Sequence, residues 1–233
     1  MTATRRERAL LLKDWEVRAF MERRKTQFRR VVVPQPQWCY PGNATRSAVM
    51  HSGVDGPVAT VGFGAACEQW RFGASPFGAP GDRLWVKEIW ACTRELNGCS
   101  VKGMIAASDS IWYRASIPEF GATGILACHG QWRTPVSMPR CASRLTLEIT
   151  GVRVERLQEI SEAGARAEGI TVLPLQDATD PSAWWESAPG LHQARTPQAA
   201  YLKLWDSFAP KGHGSSDNPW VWVTAVRLVE VGG

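Results

Sequence analysis

The chain has 233 residues, 44% of them apolar and 21% charged, and a formal net charge of +5. That length buries a core without disulfide staples, and the composition excludes collagen, a coiled coil and wholesale disorder. No run approaches the ~18 consecutive apolar residues of a membrane helix, and the Leu10-Leu11-Leu12 run is too short for a secretory signal, so the expectation is a cytoplasmic protein with no membrane contact.

In chain order, the first predicted element is a short amphipathic helix over 15–24, with Trp15, Ala19 and Phe20 on one side. Residues 28–33 end in three valines before Pro34 and read as a strand. Residues 35–81, rich in Gly, Ala, Pro and Ser, have no sustained period and read as an irregular insertion. A strand follows over 83–91, a second irregular stretch over 92–109, and a short strand over 111–114. Residues 144–150 (RLTLEIT, with Arg144 at the start) alternate as a strand does. Ser161 suits an N-cap, Glu162 the first helical turn and Gly169 the helix end. Residues 171–195 read as a third insertion. Thr196-Pro197 opens a further helix whose apolar face is Tyr201, Leu204, Trp205 and Phe208, and 219–231 reads as a long final strand. Strands without regular βαβ alternation point to an α+β fold: one domain over 1–233, built on a mixed, mostly antiparallel barrel with peripheral helices and long loop insertions.

Charge and aromatic content are unevenly placed. Residues 1–30 hold ten Lys/Arg against four acids, +6 in all, so the remaining residues carry about −1. A basic end on a near-neutral body fits a polyanion-facing surface. The 12 tryptophans outnumber 3 tyrosines and 7 phenylalanines, and most belong in a core, with one or two free to stack on a base. The six cysteines form no CxxC pair and read as free thiols. Cys128, His129 and Cys141 match no common zinc spacing, so neither metal nor cofactor is expected. Trp184-Trp185 reads as a lid or packing anchor, Asp206 as a solvated helix acid, and the Gly-rich loop around His213 lacks phosphate-loop spacing.

Five separated blocks, at 17–36, 80–90, 138–170, 204–207 and 218–229, resemble in order the ASCH family of PUA-like β-barrels, in particular its prophage-associated branch. The family signature Gly-x-Lys-x-x-(Glu or Thr)-x-Arg places Lys25 and Arg30 at its Lys and Arg positions. Arg23 stands at its Gly position and Phe28 at its Glu/Thr position. The resemblance implies binding of RNA or of a modified nucleoside or nucleotide. It also carries an alternative, an amidohydrolase acting on N4-acylated cytidine with a Lys, a Thr and a Glu. Lys25 matches that Lys and Glu168 that Glu, whereas Phe28 occupies the Thr position. Thr26 is a weak substitute, because strand side chains alternate faces.

For binding, Arg23, Arg24, Lys25, Arg29 and Arg30 supply phosphate-neutralising cations, and Phe28 suits base stacking. Glu88 shares a strand face with Leu84 and Trp90, so it needs a buried partner, Lys25 or an arginine, and joins the candidate cleft. For chemistry, Lys25 acts as base or nucleophile with Glu168 orienting it or shuttling a proton. The same basic cleft fits a ribonuclease, and a further alternative is a phage-derived module whose insertions bind a host or phage protein.

Overall fold

A computed structural model describes residues 6–35, 48–53, 56–63, 67–71, 75–97, 111–117, 129–173, 179, 183–187 and 191–231. Between 48 and 71 only the backbone is described. The strands are β1 (Glu7–Leu11), β2 (Gln27–Val31), β3 (Ala48–Gly53), β4 (Gly56–Phe63), β5 (Cys67–Arg71), β6 (Arg83–Lys87), β7 (Trp90–Ala91), β8 (Trp112–Tyr113), β9 (Leu145–Arg156), β10 (Thr171–Val172), β11 (Trp185–Glu186) and β12 (Trp220–Val231). The helices are α1 (Asp14–Met21), α2 (Glu162–Ala167) and α3 (Pro197–Asp206).

The main sheet follows β1-β6-β9-β12-β2, with the antiparallel meander β3-β4-β5 joined to β9. β1 runs parallel to β6, whereas β6 with β9 and β2 with β12 are antiparallel. The expected mixed, mostly antiparallel PUA-like barrel is therefore corrected to a mixed α/β fold on a mixed sheet, with no closed barrel among the described residues. Closure requires the outermost strands to pair with each other. Among the described residues the five-strand path ends at β1 and at β2, with no pairing between them. Two minor ladders, β7 with β8 and β10 with β11, complete the described strands. Residues 35–81 are not uniformly irregular, since they contain β3, β4 and β5, and β10 and β11 interrupt 171–195.

The chain divides into two compact units, one of Met1–Glu22, Arg83–Glu148 and Leu228–Gly233, the other of Arg23–Asp82 and Ile149–Arg227. In the first unit, β6 alternates in burial, with Leu84 and Val86 inside, as a half-buried strand does. Trp90, Cys92, Met138 and Ala142 form a core cluster, with Ile111 and Tyr113 packed against it.

In the second unit, side chains start both helices. Ser161 Oγ accepts the Gly164 N–H at 3.0 Å, and Thr196 Oγ1 accepts the Ala199 N–H at 3.2 Å, with Pro197 in the first turn. Gly169, at φ +97°, ends α2 in the left-handed region that glycine adopts without a Cβ penalty. Tyr201, Leu204 and Trp205 bury one face of α3, while Phe208 lies beyond its end and is half-buried. The final strand buries both faces of its first half, which explains the run of Trp220, Val221, Trp222 and Val223.

Candidate functional site

The candidate site in the second unit begins at Arg23, an exposed residue at φ +59°. Two residues on, the chain pairs with the end of α2. Thr26 N–H donates to the Ala167 carbonyl at 2.8 Å, and Lys25 faces Glu168 in an antiparallel bridge. This local pairing drives Lys25 inward. Its Nζ donates to Glu168 Oε2 at 2.7 Å and to the Glu168 carbonyl at 3.0 Å.

Strand alternation then sorts the basic segment onto two faces. Lys25, Gln27 and Arg29 point the same way, toward α2 and β9. Gln27 Nε2 donates to the Gly164 carbonyl at 3.0 Å. Arg29 Nη1 donates to Glu168 Oε1 at 2.8 Å, Nε donates to Glu155 Oε1 at 3.1 Å, and Nη2 contacts that same oxygen. Arg153 Nε reaches the other Glu155 oxygen at 3.0 Å. The result is a chain of alternating charge, Lys25–Glu168–Arg29–Glu155–Arg153, with the Arg29 guanidinium 5.5 Å from the Tyr201 ring centre. Burial acts to lower the pKa of Arg29, but Glu168, Tyr201 and Glu155 outweigh it and hold the guanidinium above its ordinary value.

Lys25 and Glu168 do meet, yet they are only 3% and 1% exposed. A nucleophilic amine must be uncharged and open to its substrate. The Lys25 amine is enclosed and held by two oxygens. Glu155 and Arg153 were not among the sequence candidates. Their signal was available in the VRVER run, where two charges share one strand face between buried valines.

Phe28 and Arg30 lie on the opposite face of β2. Phe28 is fully buried, packed edge-on against Phe77 with ring centres 5.0 Å apart, and Arg30 sits 5.3 Å over it. Thr224 stands directly across from Phe28 on β12, and its buried Oγ1 has no hydrogen-bond partner. Thr26 is exposed, and Arg24 Nη1 donates to the Gly169 carbonyl at 2.9 Å.

Glu88 belongs to the first unit, and its partner is an arginine, Arg144. Arg144 Nε and Nη2 grip its two oxygens at 3.0 and 2.9 Å, and the guanidinium lies 4.1 Å over Tyr113. Burial pushes the Glu88 carboxyl up. Arg144 pulls it back in part, and Asp14 adds to the rise. The five-residue cleft of Lys25, Phe28, Arg30, Glu88 and Glu168 is thus not one assembly: the structure joins Lys25 to Glu168, turns Phe28 and Arg30 to the other strand face, and gives Glu88 to another ion pair.

The remaining candidates are absorbed locally. Asp206 accepts from the Ser215 N–H and hydroxyl, both at 2.6 Å, and the His213 carbonyl accepts from Trp205 Nε1 at 2.8 Å. Trp185 is buried beneath Arg166, and Trp184 lies beneath Arg195. Cys128 lies outside the described residues, Cys141 is exposed, and no metal-holding group of His, Cys, Asp or Glu occurs among the described residues. Nor is any described helix long and apolar enough to cross a membrane.

No family model matches the chain, and no curated protein or solved structure matches it either.

Proposed function

We propose that this chain is a cytoplasmic protein that binds single-stranded RNA, or a modified nucleotide, through the basic segment leading into β2. The observation that carries this reading is the division of labour within 23–30, a stretch of five cations and no acid. Lys25 and Arg29 are buried in the ion network and fix the backbone. Arg23 is exposed, and Arg24 and Arg30 are half-buried. Three cations on and just before a braced strand, one exposed and two half-buried, suit backbone phosphates, which favour fixed positive charge at low conformational cost.

The geometry supports binding better than hydrolysis. An acyl-transfer site needs a reachable nucleophile or base, and Lys25 is sealed behind Glu168. At the Thr position stands a buried phenyl ring, on the strand face away from Lys25.

The test is a titration of fluorescently labelled single-stranded RNA at several salt concentrations. About three phosphate contacts predict a log–log salt slope near −2. Replacing Arg23, Arg24 and Arg30 together by Ala removes most of that slope. Salt-independent binding, or none, overturns the proposal, and turnover of N4-acetylcytidine restores the hydrolytic alternative.

A further inference from the structure

Among the described residues of the first unit, two buried polar atoms lack hydrogen-bond partners within one aromatic cluster. His129 Nδ1 lies 2.7 Å from the Gly130 carbonyl, so Nδ1 carries the proton and, in the neutral ring, Nε2 is a bare acceptor. That Nε2 is buried and unpaired, and so is the indole N–H of Trp112. One acceptor and one donor are left unsatisfied, each at the cost of a buried polar group.

Backbone pairing brings both groups to one face. β7 lies between β8 and residues 129–133. Ala91 faces Trp112 on one side, and Thr93 faces His129 on the other. Ala91 and Thr93 share a strand face by alternation, so Trp112 and His129 flank two small side chains. The opposite face carries Trp90, Cys92 and Tyr113 into the core. Four residue steps from His129 to Arg133 lie against three from Thr93 to Trp90, a bulge that turns Trp132 back toward His129. The His129 ring centre is then 4.4 Å from that of Trp132 and 6.5 Å from that of Trp112. A Cβ on Gly130 would displace Asn97 Oδ1 and press on the Thr93 carbonyl at 3.0 Å, so the turn beside His129 leaves little room for a side chain.

We propose that this cluster is a binding site for a planar lactam ring, of the kind found in uracil and guanine bases. The aromatic rings supply stacking surface, and the two unsatisfied atoms select the edge. A ring N–H donates to His129 Nε2, and the adjacent carbonyl accepts from Trp112 Nε1. A trans peptide points its N–H and C=O in opposite directions, whereas a cis lactam presents both on one edge. All three rings are only half-buried, so the guest enters by parting them. The cluster belongs to the first unit and the basic segment to the second, and neither proposal depends on the other.

The experiment uses the full chain labelled with nitrogen-15. Trp112 is assigned as the indole resonance lost in Trp112→Phe. Uridine is expected to move that resonance downfield and to shift the His129 Nε2 signal. 3-Methyluridine, which lacks the ring N–H, is expected to leave the Nε2 signal in place and to bind about tenfold more weakly. His129→Phe is expected to show the same loss. Oligouridylate is the second arm: equal affinity per base identifies a free nucleoside as guest, and tighter binding identifies a strand. No response to uridine, an equal response to 3-methyluridine, or only a long-lived water contact at the indole proton overturns the proposal. The methylated probe is read on the native protein, so a variant that fails to fold does not decide the result.

Discussion

Two ion clusters show what a single charged side chain contributes here. Arg29 keeps its charge at 1% exposure because Glu168 and Glu155 supply oxygens to each side of its guanidinium. Such pairs recover in Coulomb attraction roughly what they lose in hydration, so they specify a geometry more than they stabilise it. Glu88 carries a consequence for pH. Its folded-state pKa lies above that of the unfolded chain, because burial outweighs the help from Arg144. The folded state therefore holds more protons than the unfolded state between the two values. That contribution is fully present below the ordinary Glu value and is lost as pH rises through the raised one. Glu88→Gln, which cannot ionise, is expected to flatten this decline. Urea midpoints measured from about pH 4 to pH 7 check it, and an unchanged slope contradicts it. The Lys25–Glu168 pair was legible only through the family resemblance. The part played by Arg29 was hidden because a parity argument separates it from its neighbour Arg30, and that argument needs the strand boundary first.

At the scale of elements, the clearest strain lies where α1 gives way to the basic segment. Arg23 adopts φ +59°, a region that costs a residue with a Cβ about 1 kcal/mol or more. Arg23→Gly is expected to raise stability by about 0.5–1 kcal/mol in denaturant unfolding. The same substitution is expected to weaken RNA binding by the loss of one phosphate contact, and a destabilised variant argues against the turn as described. Local chemistry made some elements readable in advance. The capping hydroxyls of Ser161 and Thr196 act within three residues, so α2 and α3 follow from the sequence. Other elements depend on distant partners. β1 exists by parallel pairing with β6, more than seventy residues away, and nothing in ERALL announces that. The β3–β5 meander is hidden by its Gly and Ala content, which blurs the two-residue period. The helix expected over 15–24 ends at Met21, because a left-handed Arg23 cannot continue it.

For the whole molecule, both compact units are assembled from segments far apart in sequence. The first takes β1 and the last residues of β12 from the two ends of the chain, and β6, β7, β8 and its core cluster from the middle. A fragment of residues 83–148 therefore lacks β1, the parallel partner of β6, and α1 with it. Such a fragment is expected to stay unfolded, with narrow amide dispersion, and a folded spectrum refutes this reading. Charge also changes meaning at this scale. The +6 of the first thirty residues is not all available to a polyanion, because Lys25 and Arg29 spend theirs on buried carboxylates. The expected salt dependence is accordingly shallower than the sequence total implies.

The enclosure of Lys25 also makes it a reporter of chain opening. Reductive methylation modifies amines in contact with solvent, so Lys13, Lys203 and Lys211, all exposed, take up label while the native fold persists. Lys25 is expected to resist until β2 separates from the end of α2. Mass-spectrometric mapping of its dimethylation against time then times that separation, and early labelling in native buffer shows that the pair opens freely.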